Sequence, residues 1–93
     1  MKTLKDAVKE SDTVFVDVRT KSEFNSGHIP GAKNIPLDEL MGRLDELDGI
    51  SGPLVLYCRS GNRSGMALHM LREAGCDNLY NGGGIHDVKY LLN

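Results

Sequence analysis

No stretch of this chain approaches the roughly 18 consecutive apolar residues of a membrane-spanning helix, and its N-terminus lacks the apolar core of a signal peptide. Membrane insertion is not expected. Lys and Arg number 11 against 13 Asp and Glu, for a net charge of -2 and a pI near 5.8. There is thus no general excess of cations for a nucleic acid or an anionic membrane surface, and any basic function has to be local. Cysteine is scarce: Cys58 and Cys76 are the only two, too few for a disulfide scaffold, so each is judged by its own surroundings. Repeats, linkers and low-complexity tracts are also missing. What is present, 93 residues with 40% hydrophobic content, suffices for one core and so for a single domain over residues 1–93.

Apolar periodicity divides the chain into alternating helical and extended segments. Leu4, Ala7 and Val8 within Thr3–Glu10 have the spacing of a short amphipathic helix. Thr13–Val18 is β-branched and nearly continuous in its apolarity, as in a strand covered on both faces. Thr20 followed by Glu23 has the form of a capping box, predicting a short helix that Gly27 ends. Lys33-Asn34-Ile35 reads as a short strand before Pro36, which suits the first turn of a helix. Leu37, Leu40, Met41, Leu44 and Leu47 form the stripe of that helix, which ends near Gly49. Leu54–Tyr57 is the second long strand. Met66–Ala74 is helical, with Ala67, Met70, Leu71 and Ala74 on one face and Gly75 as its cap. Asn78-Leu79-Tyr80 is a minimal strand, Gly82–Gly84 a flexible turn, and Ile85, Val88, Leu91 and Leu92 outline a closing helix. Strands alternating with helices over short connections predict an α/β fold with a parallel sheet. Ligands of such sheets bind beyond the carboxyl ends of the strands.

Cys58 stands at one of those ends, and the chain continues from it as Arg59-Ser60-Gly61-Asn62-Arg63-Ser64-Gly65. A free thiol has a pKa near 8.5 and is only a few per cent thiolate at pH 7. Three features favour the thiolate here. A helix beginning near Ser64 turns its unpaired N–H groups and positive dipole end toward the loop. Arg59 and Arg63 add fixed positive charge, and Gly61, lacking a Cβ, lets successive N–H groups converge on an anion. Each unit of pKa depression is worth about 1.4 kcal/mol in favour of the charged form. The expectation is a Cys58 nucleophile ionised at neutral pH, in a cradle that also holds a small oxyanion or a terminal persulfide. Asp17 and Arg19, at the end of the neighbouring strand, are expected to brace the loop and the adjoining turn through hydrogen bonds rather than to transfer protons.

Asp17-Val18-Arg19, Glu23-Phe24, Gly27-His28-Ile29-Pro30-Gly31-Ala32, Asn34-Ile35-Pro36, Tyr57 to Ser64 and Gly83-Gly84-Ile85 together resemble the rhodanese family of sulfurtransferases in its single-domain form. The resemblance runs in order over nearly the whole chain. It implies a thiolate, Cys58, that attacks the outer sulfur of thiosulfate, releases sulfite, holds the sulfur as a persulfide and passes it to cyanide or to a thiol, a protein thiol included. It implies that Arg59, Ser60, Gly61, Asn62, Arg63 and Ser64 form the substrate cradle, with Arg59 and Arg63 meeting the anion. The Cys-Arg loop is closer to the thiosulfate-using type than to the Cys-Gly-Ser-Gly loop associated with 3-mercaptopyruvate. Two departures stand out. The chain starts at the first helix, without the extra N-terminal strand of many members, which implies a small parallel sheet of about four strands with helices on both faces. Val88 also occupies the place of the family's usual tryptophan. Both features are similar to the small phage-shock-protein-E-type rhodaneses, many of them periplasmic; the chain as it stands is expected in the cytoplasm, or in the periplasm if a leader has been removed. No cofactor, nucleic acid or membrane partner is expected, and a monomer is.

Other readings are weaker. A dual-specificity-type cysteine phosphatase needs one more residue between Cys and Arg than the four, Arg59–Asn62, found here; the tighter ring suits sulfur. A catalytically idle interaction module of the same family typically lacks the cysteine. A persulfide carrier with a protein acceptor stays open. Cys76 follows a helix-capping glycine and is expected to be a small buried thiol rather than a resolving partner. His28, His69 and His86 show no metal-ligand spacing with either cysteine, so no metal is expected. Ser60 and Ser64 have no evident base and read as a loop hydrogen-bonder and a helix cap. Asn62-Arg63-Ser64 matches a glycosylation pattern by chance, since a sugar would block the loop, and Gly82–Gly84 lacks the Lys and Ser/Thr of a phosphate loop.

Overall fold

In a computed structural model, which describes residues 2–93, the apolar runs assemble into the parallel sheet that their alternation with helices predicts. Its order is β2 (Lys33–Asn34), β1 (Val14–Asp17), β3 (Leu54–Cys58) and β4 (Leu79–Gly84), four strands with every pairing parallel. All five residues of β3 are buried, which is why that run is continuously apolar. Its side chains still alternate between faces. Leu54, Leu56 and Cys58 enter one core with Val16, Val18, Ile35, Leu40, Ala67 and Leu71. On the other face Tyr57 packs with Ile29, Ile85 and Val88, and Val55 with Ala7 and Val8. Helices therefore cover both faces: α3 (Asn62–Glu73) and a 3-10 segment, Leu37–Leu47, on the first; α1 (Leu4–Ala7) and α4 (Ile85–Leu92) on the second. Full burial of side chains such as Leu56 and Leu71 stabilises the fold by about 1.5–3 kcal/mol each.

The structure departs from the sequence expectation in four places. The segment after Pro36 is 3-10 rather than α, kinked at Arg43 (φ -126°, ψ 25°), with Pro36 as its N-cap. In 3-10 geometry residues three apart share a face, so Leu37 and Leu40 point inward before the kink and Leu44 and Leu47 after it, while Met41 is 50% exposed. α3 begins at Asn62, a turn's half earlier than Ser64, and Ala74 is its exposed C-cap. α1 is only Leu4–Ala7, held by a Thr3–Asp6 capping box. Lastly, Gly82–Gly84 is not a turn: these residues continue β4, with Gly82 as the extra residue of a bulge between the pairs Leu56–Asn81 and Tyr57–Gly83.

Local chemistry fixes the remaining ends. α2 (Lys21–Asn25) is capped as its sequence predicts: Thr20 Oγ1 accepts the Glu23 N–H at 3.2 Å, and Glu23 Oε1 accepts the Thr20 N–H at 3.1 Å. α3 ends in a Schellman motif, with Gly75 at φ 95° and the Cys76 N–H donating to Leu71 O at 2.9 Å. This puts Cys76, half-buried and free, against the core on the Leu71 side.

Candidate active site

Cys58 is the last residue of β3 and 1% exposed. The chain leaves the strand there and curls through Gly61, whose φ of 99° favours glycine and whose Cα side lies against β4: a Cβ would come within 3.3 Å of Gly83 Cα. The curl carries the first turn of α3 over the sulfur. Cys58 Sγ accepts the Gly61 N–H at 3.0 Å and the Ser64 N–H at 3.4 Å, with Ser64 Oγ also 3.4 Å away. α3 has no side-chain cap of its own at Gly61; the sulfur accepts a bond that a capping side chain would otherwise take. Burial pushes the thiol up, but the Ser64 hydroxyl, whenever its proton points at the sulfur, and the amides of Ser64, Ser60 and Gly61 outweigh it and hold Cys58 below its ordinary value.

The arginines play a different part from the one their charge suggests. Arg63 is turned onto α2, where its Nη1 and Nη2 donate to Glu23 Oε1 and Oε2 at 2.7 and 3.0 Å. This hydrogen-bonded guanidinium holds the Glu23 carboxyl down at about 2. Arg63 thus straps the loop to α2. Arg59 is exposed and makes no ion pair among the described residues. With Arg19, Ser22, Glu23, Ser26, Ile85 and His86 it lines a cavity of about 290 Å³ beside the loop. A larger groove of about 630 Å³, lined by Lys5, Lys9, Tyr90, Leu91 and Asn93, includes no residue of the loop.

Asp17 and Arg19 form a buried fork. Arg19 Nε donates to Asp17 Oδ1 at 3.0 Å and Nη2 to Oδ2 at 2.7 Å, while the Arg19 N–H also reaches Oδ1 at 2.9 Å. The same Nη2 donates to Gly27 O at 2.7 Å, and the guanidinium lies 5.8 Å from the Tyr57 ring centroid. Tyr57 Oη in turn accepts the Ile29 N–H at 3.0 Å. Asn34 Nδ2 donates to Asp17 O and Arg19 O, both at 3.0 Å. These bonds fix the turn from Gly27 to Ile29 against Arg19 and the end of β3, so among the described residues the side chains of Asp17 and Arg19 brace that turn rather than the loop itself.

β4 is the floor under the loop, and it is why the glycines are there. A Cβ on Gly84 would sit 2.3 Å from Arg59 O, and one on Gly82 2.8 Å from Val88 Cγ2. Two participants carried no local signal as site residues. Glu23 reads as a capping residue, and its partner Arg63 is 40 residues away. Asn81 falls between the predicted strand Asn78–Tyr80 and the predicted turn Gly82–Gly84, yet Ser64 Oγ donates to its Oδ1 at 2.7 Å. Ser64 itself is not a cap but a fully buried residue of the first turn. The structure therefore brings Cys58, Gly61 and Ser64 together, leaves Ser60 and Asn62 exposed on the loop, and turns Arg63 aside.

A parallel α/β domain with a cysteine under the amides of a strand-to-helix loop has donors placed to hold an anionic sulfur. The Rhodanese-like domain family model matches residues 1–90, and the chain belongs to that family. The uncharacterized protein YqhL of Bacillus subtilis (strain 168) is 47% identical over 66 residues, which cover 71% of this chain and 52% of YqhL. Thiosulfate sulfurtransferase PspE of Escherichia coli (strain K12) is 34% identical over 79 residues, 80% of this chain and 72% of PspE. A solved rhodanese with anions from E. coli matches with a TM-score of 0.74 at 33% identity, over 81% of this chain and 89% of that one. The chain spans about half the length of YqhL. No helix among the described residues is long and apolar enough to cross a membrane.

Proposed function

We propose that the protein is a sulfurtransferase that moves the sulfane sulfur of thiosulfate, or of a similar anionic donor, through a Cys58 persulfide to cyanide or a thiol. The observation that carries this reading is the seat of Cys58 Sγ under the Gly61 and Ser64 amides, at 3.0 and 3.4 Å. The thiolate attacks the outer sulfur of thiosulfate; the donor's S–S bond breaks with its electron pair leaving on sulfite, and the transferred sulfur stays on Cys58 as an anionic persulfide. Cyanide or an acceptor thiolate then attacks that outer sulfur, and the Cys58 sulfur departs with the bonding pair as thiolate again. Fixed amide donors serve each anionic stage without reorganising. Arg59, exposed at the cavity beside the loop, meets the donor's sulfonate end; Ser60 and Asn62 contribute loop amides, and Arg63 holds the loop's position through Glu23. The relationship to PspE supports thiosulfate as donor.

A second reading keeps the persulfide and makes a protein thiol the acceptor. The pairing of Arg63 with Glu23 favours it, because one exposed cation binds a small dianion weakly. One experiment tests both. Incubation with thiosulfate followed by intact mass measurement should give one added sulfur that cyanide or thiol removes, with thiocyanate formed. Cys58→Ser should give neither adduct nor thiocyanate while keeping the fold. An adduct with negligible turnover supports the carrier; turnover undiminished in Cys58→Ser refutes both readings.

A further inference from the structure

Asn81 lies in β4 opposite Leu56, outside the Cys58 loop and exposed to solvent. Its Oδ1 accepts two bonds, from the Gly83 N–H at 2.9 Å and from Ser64 Oγ at 2.7 Å. The Gly83 contact decides which way the amide faces, because a backbone N–H is met by the carbonyl oxygen and not by the NH2 group. Ser64 Oγ must then be the donor in the 2.7 Å contact. A serine hydroxyl has a single proton. While that proton lies toward Asn81, the oxygen turns its lone pairs to Cys58 Sγ, 3.4 Å away, which suits the S–H of a neutral thiol. A thiolate requires the reverse, with the proton pointing at sulfur. The hydroxyl can serve Asn81, the thiolate or, at a longer 3.5 Å, Gly83 O, only one of them at a time.

We propose that Asn81 is a positioning residue that acts through Ser64, competing with the Cys58 thiolate for one hydroxyl proton and so setting how readily the sulfur is unmasked as a nucleophile. The proposal rests on Cys58 being the nucleophile and is indifferent to the donor. In the persulfide the negative charge sits on the outer sulfur, one bond further from Ser64, and the proton returns to Asn81. The relay thereby favours the loaded protein over the free thiolate. The other charged groups around the sulfur stay in place when residue 81 changes. They are Arg63 on α3 with its partner Glu23, Arg59 on the loop, the Asp17–Arg19 fork at the end of β1, and Asp87 on α4, which accepts the Gly84 N–H at 2.8 Å.

The test is the pH dependence of iodoacetamide alkylation of the full chain in a Cys76→Ser background, which leaves Cys58 as the sole thiol. Asn81→Leu, by releasing the Ser64 proton to the sulfur, should move the midpoint down by roughly one unit, the scale of one hydrogen bond to a charged group, and speed alkylation about tenfold below the midpoint. Asn81→Asp, of the same shape but a stronger acceptor and negatively charged, should move it up. In Ser64→Ala the Asn81→Leu effect should vanish, which a merely structural role would not produce. Asn81→Ala gives the same reading if the leucine variant melts early. An unchanged midpoint in Asn81→Leu, or a shift that survives intact in Ser64→Ala, overturns the proposal. If these shifts appear without any persulfide or thiocyanate from thiosulfate, the relay stands and the proposed reaction falls.

Discussion

Replacing Gly84 by alanine adds one carbon, and the structure says where that carbon goes. Gly84 pairs with Cys58 across the sheet, and its φ and ψ of -86° and 161° are open to any residue, so the substitution tests contact and not backbone strain. The new Cβ would lie 2.3 Å from Arg59 O and 3.1 Å from Arg59 C. That is roughly 1 Å inside ordinary contact, and the two nearest atoms are backbone, which no rotamer change can move away. The loop must lift. Overpacking of this kind costs about 1–3 kcal/mol, and at about 2 kcal/mol the Tm of a domain this size falls by roughly 8–16 °C. The same displacement draws the Gly61 and Ser64 amides off Sγ, and a misplacement near 1 Å costs about 10²-fold in rate. Thermal melting, the alkylation profile of Cys58 and thiosulfate:cyanide turnover should all respond. Gly42→Ala is the control: among the described residues nothing lies within 4 Å of its Cβ position, and it should stay within about 0.5 kcal/mol of the parent. A Gly84→Ala protein with parental Tm and turnover would refute the floor assigned to β4. One that melts early while Cys58 alkylates as before would show that the loop does not lean on that floor.

Two further outcomes follow from the ion pairs. Asp17→Asn leaves the buried Arg19 guanidinium (7% exposed) without its counter-ion and should cost about 3–5 kcal/mol in denaturant unfolding; a loss under about 1 kcal/mol would mean that Arg19 finds a partner elsewhere. Glu23, held down at about 2 by Arg63, contributes stability above the ordinary carboxyl value of 4.5 that is lost as pH falls from there through 2. The Tm difference between the parent and Glu23→Gln should therefore be flat above about pH 4.5 and shrink below it; a difference that widens on acidification contradicts the pairing.

Which of these features can be read in the sequence depends on how far apart their causes lie. β3 is legible because a strand covered on both faces leaves an unbroken apolar run, and α2 because Thr20 and Glu23 complete their box within one turn. Gly82–Gly84 reads as a turn because glycine is poor in strands; the carbonyl of Arg59 and the side chain of Val88, which exclude any Cβ there, arrive only with the tertiary fold. Ser64 reads as a helix cap because serine favours that place, but the acceptor at that end is a sulfur from the preceding strand, which no helix propensity includes. Arg63 reads as free charge because composition counts cations and not their partners. The stripe of Leu37 to Leu47 shows its apolar residues correctly, but a 3-10 segment repeats every three residues, so Leu37 and Leu40 face the core and Met41 is left outside.

Cys58 Sγ takes the bond that an N-cap side chain would make to Ser64 N–H, so the proposed nucleophile is also what closes the first turn of α3. Any change in the charge or substitution of that sulfur changes the acceptor offered to the backbone of a helix twelve residues long. The chemical state of one side chain is in this way written into the amide protection of Gly61 and Ser64. Hydrogen exchange at those two positions would report any change of state at the sulfur without a label on the sulfur itself.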